Sequence, residues 1–355
     1  MTLTDQSTDV RSGEELDVAL IDPYLKTHIP GLSGTPRISQ FPGGASNLTY
    51  LIQYPEQELV LRRPPFGQKA RSAHDMGREY RILNQLKDAF PYCPQAWLHC
   101  TDEAVIGSEF YVMERVKGII LRSDLPPKLG LNAQQTQDLC KSFIDRLVDL
   151  HRVDYQACGL GDLGRPQGYV QRQIVGWTER YEKAMTPDAP AWEQVKAWLV
   201  AKMPDDSPVS SIVHNDFRFD NVILDPDNPM RIIGVLDWEL TTLGDPLMDL
   251  GNTLAYWIEA NDPAPVQLMR RQPSHAPGML TRQQFVDYYA ERSGIRIDNV
   301  DFYYTYGLFR LAGIVQQIYY RFYHGQTQDK RFAQFIQMNK LLEQMSLNVI
   351  AHSSL

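Results

Sequence analysis

The spacing of the apolar residues changes once along the chain, and this change constrains the fold more than any other feature. Residues 36–63 contain three short segments of alternating character, separated by Pro-Gly-Gly and Pro-Glu-Gln turns: PRISQF, NLTYLIQY and ELVLRR. This alternation predicts three antiparallel β-strands. Two more strands are predicted at 95–99 and 109–115, and helical spacing predicts helices within 14–29 and 74–88.

From about Asn132 onward, apolar residues recur at the three- and four-residue spacing of helices. Helices are predicted at 133–151, 169–185, 190–203, 281–293, 299–323 and 328–349, and a short β-rich segment at 211–239 interrupts them. We therefore predict an α+β fold with a small antiparallel-sheet lobe over residues 1–115 and a mainly helical lobe over 116–355. The polar residues 1–13 are predicted to be mobile.

Composition excludes several classes of function. The 35 Lys+Arg and 43 Asp+Glu residues give a net charge of -8, which argues against nucleic-acid binding because phosphate recognition needs a basic surface. No apolar run approaches the ~18 residues of a membrane span, and the polar N-terminus does not resemble a secretory signal. The four cysteines form no CxxC pair. These features predict a cytoplasmic protein with reduced thiols and no membrane partner.

The most polar motif of the chain lies within the β-rich segment. It has the form H-x-D-x-x-x-x-N, from His214 through Asp216 to Asn221, with apolar residues on both sides. A further acidic residue, Asp237, directly follows the next apolar stretch. The separation between Asp216 and Asn221 is that of the catalytic loop of kinases. The catalytic loop is therefore predicted at residues 212–221.

Phosphoryl transfer requires this set of groups. One carboxylate orients the acceptor hydroxyl and takes its proton, an amide oxygen and a second carboxylate hold Mg²⁺ on the nucleotide, and a cation neutralises the moving group. Asp216 matches the first role, Asn221 and Asp237 match the metal ligands, and Arg218 matches the cation. Arg218 has an alternative role, which is an ion pair with Asp220 or Glu239.

Seven segments, in order, resemble the aminoglycoside phosphotransferase family, a branch of the protein-kinase-like fold: FPGGASNLTYLI, LVLRRPP, GREYRIL, FYVMERVKG, HNDFRFDNVIL, VLDWE and LGDPLMDLG. They run from about residue 41 to residue 251. Within the family, the chain most resembles the branch that also occurs as a kinase-like domain fused to acyl-CoA dehydrogenases. The resemblance implies a two-lobe fold, ATP as phosphoryl donor, Mg²⁺ as cofactor and a small-molecule hydroxyl as acceptor.

The resemblance also implies a nucleotide site in the N-terminal lobe. The residues that match it are Gly43, Gly44, Ser46 and Asn47 in the phosphate-covering turn, Arg62 on the third strand, Glu79 on the following helix, and Glu114 and Val116 in the hinge. Arg62 stands where kinases place a lysine, and strand alternation puts it on the same face as Val60. Glu79 is expected to pair with Arg62. The backbone groups of Glu114 and Val116 are expected to contact adenine.

Several polar residues near the motif have structural interpretations. His214 is predicted to brace the catalytic loop by a hydrogen bond, and Asp249 is predicted to brace the same loop by the resemblance. Asp245 precedes Pro246, which is typical of a helix N-cap followed by the first helical residue. His151 lies on an apolar helix face and is predicted to be a hydrogen-bonded core residue.

The leading hypothesis is a small-molecule kinase, and three alternatives remain open at this point. They are an aminoglycoside- or choline-type kinase, a protein kinase, and a pseudokinase-like scaffold that binds nucleotide without turnover. Between Ala255 and Arg331 the sequence has seven acidic and nine basic residues, which does not favour a polycationic acceptor. An anionic hydroxy acid or CoA ester fits better, with four candidate arginines: Arg270, Arg271, Arg310 and Arg321.

Overall fold

The computed structural model describes residues 4–42, 47–66, 75–207 and 209–355. The chain divides into two compact units that are not contiguous in sequence. The first unit contains the described residues up to Ile120 together with Ala157–Leu160 and Val222–Glu239, and the second contains the remainder. The first unit thus extends to Ile120, beyond the boundary predicted at residue 115, and it also includes residues 222–239.

The first unit is built on a five-stranded antiparallel sheet with the order β1-β2-β3-β5-β4. The strands are β1 (Arg37–Gln40), β2 (Leu48–Gln53), β3 (Glu58–Arg63), β4 (Ala96–Cys100) and β5 (Phe110–Glu114). All five predicted strands are present. Strand β3 is central, pairing with β2 on one side and β5 on the other, and this position buries its residues almost completely.

Helix α1 (Val18–His28) lies against this sheet, where Ile21 and Leu25 join a core with Tyr50 and Leu61. The strongly amphipathic helix α2 (Met76–Leu86) begins at Asp75, whose carboxylate accepts a hydrogen bond from the Arg78 amide. A one-turn helix, α3 (Glu103–Ile106), separates β4 from β5. It was not predicted, because four residues are too few to show a helical repeat.

The described part of the N-terminal segment, whose mobility stays a prediction, pairs with the edge of the sheet. Thr8 exchanges two backbone hydrogen bonds with Gln40 at the edge of the sheet, 2.8 and 2.9 Å long, and Thr4 forms an isolated bridge with Ile119. Backbone pairing of this kind does not need apolar side chains, so the polar composition gave no sign of it. The segment therefore covers an otherwise open sheet edge.

A second backbone pairing explains why residues 222–239 belong to the first unit. Strands β7 (Val222–Leu224) and β8 (Ile232–Val235) form a hairpin, and Leu224 exchanges backbone hydrogen bonds of 2.8 and 2.9 Å with Ile119. Gly118 approaches the Leu224 carbonyl so closely that a Cβ atom would overlap it. The pairing joins segments about a hundred residues apart, which local sequence patterns do not reveal.

The second unit is mainly helical. Its helices are α4 (Ala133–His151), α5 (Tyr169–Lys183), α6 (Glu193–Ala201), α7 (Pro246–Ala255), α8 (Ala264–Gln267), α9 (Arg282–Ser293), α10 (Val300–Tyr323) and α11 (Phe335–His352). Strands β6 (Ser211–Val213) and β9 (Thr242–Gly244) pair antiparallel. The predicted long helices are present, although residues 330–334 form a separate 3₁₀ turn before α11. None of the described helices is both long and apolar enough to cross a bilayer.

Two glycines allow α7 and α10 to pack closely. A Cβ atom at Gly251 would overlap the carbonyl oxygen of Tyr303, and a Cβ atom at Gly307 would overlap the carbonyl oxygen of Gly251. Both contacts are with backbone, which cannot move aside without shifting a helix. This crossing fixes the position of α7, which begins just after the β9 strand.

We expect Gly251→Ala to destabilise the protein by about 1–3 kcal/mol, because the added methyl group forces the two helices apart. Gly176→Ala is the matched control, since Gly176 lies within α5 and its Cβ would meet only the mobile end of Arg180. That change should leave stability unchanged or raise it by up to about 1 kcal/mol through helix propensity. Urea unfolding of both variants measures the difference; equal stabilities would contradict the close crossing.

Candidate active site

The first unit contains a buried ion pair between β3 and α2. Central position in the sheet buries Arg62, and the amphipathic pattern of α2 directs Glu79 toward it. The guanidinium Nη1 donates to the Glu79 carboxylate at 2.5 Å, so the predicted pairing of these two residues is present. Burial removes water from both charges, and each therefore depends on the other for solvation.

Two more carboxylates approach the same guanidinium. Arg62 Nη2 lies 3.3 Å from Asp237 Oδ1 and 3.5 Å from Glu239 Oε2. The side chain of Asn47, which is buried, donates to Glu239 at 3.0 Å. The Asp237 backbone is left-handed, with φ of 68°, and its side chain remains about one-third exposed. Arg62 thus joins β3, α2 and the segment after β8 through a single planar group.

The protonation of this cluster follows from burial and charge. Burial opposes the charged form of Arg62, but Glu79 and the neighbouring carboxylates raise its pKa well above the ordinary value. Burial raises the pKa of Glu79, and the Arg62 charge offsets only part of that effect. Arg62 is consequently a permanent cation, surrounded by carboxylates that depend on it.

The other predicted nucleotide residues have mixed placements. Glu114 ends β5, and its carboxylate accepts from Lys87 Nζ at 3.0 Å and from the Gln95 amide at 2.8 Å. The side chain of Val116 packs beside Gly234. Gly43, Gly44 and Ser46 lie outside the described residues. Contacts of all these residues with a nucleotide stay predictions.

A buried carboxylate binds the backbone of the 214–221 loop in the second unit. Asp249 on α7 accepts hydrogen bonds from the backbone amides of His214 and Asn215, both at 2.7 Å. Asn215 has a left-handed backbone, with φ of 66°, which brings the two amide groups toward one carboxylate. His151 Nε2 lies 3.1 Å from the same carboxylate, and its Nδ1 lies 2.6 Å from the Tyr289 hydroxyl. Asp249 and His151 therefore have the bracing and core positions predicted for them.

The hydrogen bonds decide the ionisation of Asp249. Complete burial would raise its pKa, but the bond to His151, the nearby His151 and His214 rings and the backbone amide of His214 lower it below the ordinary value. A carboxylate that accepts several hydrogen bonds stays ionised even when buried. The loop backbone is thus fixed by a charged and fully hydrogen-bonded group.

Within the loop, Asp216 is the centre of a polar cluster. Arg218 Nε lies 3.0 Å from Asp216 Oδ1, and Asn221 Nδ2 donates to Asp216 Oδ2 at 2.9 Å. The backbone amide of Asp216 donates to His214 Nδ1 at 3.2 Å, which is the predicted bracing bond. Oriented in this way, a partly exposed carboxylate can accept a hydrogen bond from a hydroxyl and take its proton.

Arg218 is shared by two carboxylates and one ring. Its Nε lies 3.4 Å from Asp220 Oδ1, and its guanidinium lies 4.5 Å from the centre of the Tyr256 ring. Burial raises the pKa of Asp220, with Arg218 acting against that effect. The ion pair between Arg218 and Asp220, which was the alternative interpretation of Arg218, is therefore present. Arg218 also forms an ion pair with Asp216.

Gln272 was not predicted as part of this region. Its side chain accepts from the Phe219 amide at 3.0 Å and donates to the Tyr256 carbonyl at 3.1 Å. It therefore ties the loop to the residues after α7. No sequence signal distinguishes this glutamine from a surface residue, because its partners lie about 16 and 50 positions away.

Asn221 and Asp237 each carry oxygen donors of the kind that a hard divalent cation prefers, and their role as metal ligands stays a prediction. Mg²⁺ prefers oxygen ligands and usually retains waters and substrate phosphates, so two protein ligands are sufficient. Asp216 accepts both hydrogen bonds from the Asn221 amide nitrogen, at 2.8 and 2.9 Å, which leaves the amide oxygen for a cation. In the described part of the chain, no group of three or more His, Cys, Asp or Glu side chains is arranged to hold a metal.

Comparisons with known proteins identify the family. The profile of the Phosphotransferase enzyme family matches residues 37–284. Acyl-CoA dehydrogenase family member 11 of Rattus norvegicus is 32% identical over 92% of the chain, and acyl-CoA dehydrogenase family member 10 of Mus musculus is 35% identical over 93%. The chain belongs to the aminoglycoside phosphotransferase family of kinase-like enzymes, which transfer a phosphoryl group to a hydroxyl.

Solved structures agree on the fold. A protein of Ralstonia eutropha JMP134, provisionally assigned as an aminoglycoside phosphotransferase, is 31% identical with a TM-score of 0.81, covering 94% of this chain and 98% of that one. The GDP complex of aminoglycoside 2'-phosphotransferase-IIIa is 15% identical, with a TM-score of 0.59 over 93% of this chain and 98% of that one. The chain spans 42% and 31% of the rat and mouse relatives, so less than half their length.

The buried position of Arg62 predicts a large cost for its removal. We expect Arg62→Met to destabilise the protein by about 3–5 kcal/mol, because Glu79 would remain buried without its counter-charge. Arg62→Lys should cost less, since it keeps the charge but not the planar fork. Urea unfolding at neutral pH measures the stability of the unmodified protein and of both variants.

The matched control is Arg37→Met, the same substitution at an exposed position of β1 in the same sheet. It should change stability by no more than about 0.5 kcal/mol. Loss of less than about 1 kcal/mol in Arg62→Met would contradict the view that three carboxylates depend on this arginine.

Proposed function

We propose that this chain is an ATP- and Mg²⁺-dependent kinase that phosphorylates the hydroxyl of a small anionic acceptor, either a hydroxy acid or its CoA ester. One observation carries the proposal. The Asp216 carboxylate is held between Arg218 and Asn221 on a loop whose backbone Asp249 fixes. This is the arrangement that phosphoryl transfer to a hydroxyl requires.

The first unit supplies the groups for the donor. Arg62, oriented by Glu79, provides a permanent cation for the nucleotide phosphates. Asn47 donates a hydrogen bond to Glu239, which lies next to Arg62. The backbone of Glu114 and Val116 provides the adenine contacts. Asn221 and Asp237 would hold Mg²⁺, which when bound neutralises phosphate charge.

The second unit supplies the groups for the acceptor. Asp216 accepts the hydrogen bond of the acceptor hydroxyl and takes its proton as the oxygen attacks the γ-phosphorus. The new bond joins the acceptor oxygen to that phosphorus, and the bond to the β,γ-bridging oxygen breaks, which releases ADP. Arg218 offsets the charge that develops, and Asn221 keeps Asp216 oriented throughout.

The charge of the acceptor region favours an anion over an amine. A cationic aminoglycoside or amino alcohol needs buried acidic partners, since an unpaired buried charge is costly. Between residues 255 and 331, Asp262 and Glu259 are already paired with Arg282. The names of the rat and mouse relatives point to acyl groups, which supports a hydroxy acid or CoA ester as the acceptor.

One observation favours a second candidate function. The Arg62 guanidinium contacts three carboxylates, and the Asn47 amide donates to one of them, so both phosphate-binding groups are engaged within the protein. A pseudokinase-like scaffold that binds nucleotide weakly and does not turn it over would show such contacts. Nucleotide binding and turnover separate the two candidates.

The first test is thermal stability with and without MgATP. A ligand present at 100 times its Kd adds about 2.7 kcal/mol of stability, which gives a measurable rise in Tm. We expect a rise that requires both ATP and Mg²⁺, and GTP under the same conditions tests nucleotide preference. No rise with either nucleotide would contradict the proposed kinase.

The second test is Asp216→Ala. We expect kcat for phosphorylation of a hydroxy acid to fall by about 10²–10⁴-fold, because proton transfer loses its base, while MgATP affinity stays within a few-fold. Asp227→Ala is the control, since Asp227 is an exposed carboxylate on the turn between β7 and β8. Its kcat should match that of the unmodified protein. An Asp216→Ala variant of comparable activity would exclude Asp216 as the base.

A further inference from the structure

Arg310 is a buried cation that lacks a carboxylate partner. It lies in the middle of α10, between Phe309 and Leu311, and is only 3% exposed. Among the described residues, no carboxylate forms an ion pair or hydrogen bond with its guanidinium. The segments outside the described residues contain no Asp or Glu. Burial of a guanidinium without a counter-charge is unfavourable, so its presence calls for a reason.

Other buried arginines of the chain show how such a charge is normally stabilised. Arg62 has its carboxylates, and Arg282 lies 2.7 Å from Asp262. Arg63, which also lacks a carboxylate, donates to the backbone carbonyls of Pro64 and Ile106 at 3.2 and 2.9 Å. Arg310 has none of these contacts among the described residues.

One aromatic ring lies beside the Arg310 guanidinium. It lies 5.2 Å from the centre of the Trp177 ring, and the exposed Arg180 lies 5.0 Å from the same ring. Burial raises the pKa of both Tyr169 and Tyr306, and the positive charge of Arg310 opposes that rise. Stacking on a ring stabilises a cation by only about 0.5–2 kcal/mol, less than burial costs it. Two arginines near one ring make this region electropositive.

The aromatic group adjoins the 214–221 loop. The Tyr169 hydroxyl donates to Asn215 Oδ1 at 3.3 Å. Burial raises the pKa of Tyr256, whose ring lies 4.5 Å from the Arg218 guanidinium, and the charges of Arg218 and Arg310 oppose that rise. Gly307, one turn before Arg310 on α10, packs against Gly251 on α7, the helix that carries Asp249. A molecule bound to Arg310 would therefore lie within the same part of the second unit as the proposed base Asp216.

We propose that Arg310 binds the carboxylate of the acceptor, which makes it a specificity-determining residue for free hydroxy acids. The inference rests on the proposed function and narrows it. The planar guanidinium matches a carboxylate through two parallel hydrogen bonds. An amide or a CoA thioester has no charge at that carbon, so neither would supply the missing counter-charge.

The remaining candidate arginines do not share these features. Arg270 pairs with Asp124 at 3.5 Å, and both Arg271 and Arg321 are exposed. An exposed guanidinium is solvated and has no need of a ligand. Of the four arginines that the sequence offered for an anionic acceptor, Arg310 alone is buried beside an aromatic ring without a carboxylate partner among the described residues.

The first experiment compares binding of pentanoate and pentanamide to the unmodified protein in the absence of nucleotide, by calorimetry and by thermal shift. These probes have the same chain and nearly the same shape but differ in charge. We expect pentanoate to bind at least about tenfold more tightly, because hydrogen bonds to charged groups are the stronger ones. Equal affinities would overturn the proposal, whether or not the protein is a kinase.

The second experiment uses substitutions at Arg310 and a matched control. Arg310→Met should weaken pentanoate binding by about tenfold or more and leave pentanamide unchanged, and Arg310→Lys should restore part of the difference. Arg321→Met makes the same change at an exposed position of the same helix, and should have no effect. If Arg310→Met fails to fold, the relative affinities of pentanoate and pentanamide for the Arg310→Lys variant and the unmodified protein still test the proposal. Retained preference for pentanoate in a folded Arg310→Met protein would overturn the assignment.

The third experiment separates this inference from the proposed function. With MgATP, the ratio of kcat/KM for 5-carbon hydroxy acids to that for their amides and CoA esters is measured in the unmodified and Arg310→Met proteins. We expect the ratio to favour the free acids and to fall about tenfold or more in the variant, chiefly through KM. Turnover that favours the CoA esters, with no change in the variant, would support the kinase and overturn the role of Arg310. Carboxylate binding without any turnover would support the role of Arg310 and overturn the proposed kinase.

Discussion

The backbone of the 214–221 loop is held by the buried carboxylate of Asp249, which accepts hydrogen bonds from two consecutive amides and contacts His151. Each of these bonds favours the ionised carboxylate, and together they outweigh the burial that opposes it. The loop can therefore keep its left-handed residue at Asn215 and present Asp216 to solvent. The close crossing of α7 and α10 at Gly251 and Gly307 in turn fixes where Asp249 lies. Helix packing and loop geometry are thus parts of one arrangement.

Each unit contains one charged group that joins several elements. In the first unit, Arg62 connects the central strand β3 to α2 and to the segment after β8, so the hairpin β7-β8 is fixed twice, by backbone pairing at Ile119 and by carboxylates near Arg62. An arginine can do this because its planar group offers donors in several directions, whereas a lysine is a point charge. An arginine at the position where kinases have a lysine thus orders the elements around it, and its contact with nucleotide phosphates stays a prediction.

Much of the fold was predictable because it depends on local spacing. Alternation over residues 36–63 gave strands β1 to β3, and helical periodicity gave α4 and α10 nearly to the residue. The motif from His214 through Asp216 to Asn221 could be read from the sequence because its spacing is short, and Asp237 because it directly follows an apolar stretch; their catalytic and metal-binding roles stay predictions. The joining of residues 222–239 to the first unit was not predictable, because it depends on a bridge between Ile119 and Leu224. The hydrogen bond from the Phe219 amide to Gln272 also joins residues far apart in the sequence, and neither residue has a local pattern that predicts it.

The contrast between Arg62 and Arg310 shows what a sequence leaves undecided about a charged residue. Both lie in apolar segments, and both are buried. The effect of burial on stability depends on what surrounds the guanidinium. Carboxylates of the same chain neutralise Arg62, so removing Arg62 would leave those carboxylates without a counter-charge and destabilise the protein. Arg310 lacks a carboxylate partner among the described residues, and the Trp177 ring beside it stabilises a cation only weakly. A charge satisfied from within is structural first, whereas a charge that folding leaves unsatisfied is stabilised by binding, and this difference is why Arg310 points to the chemistry of the acceptor.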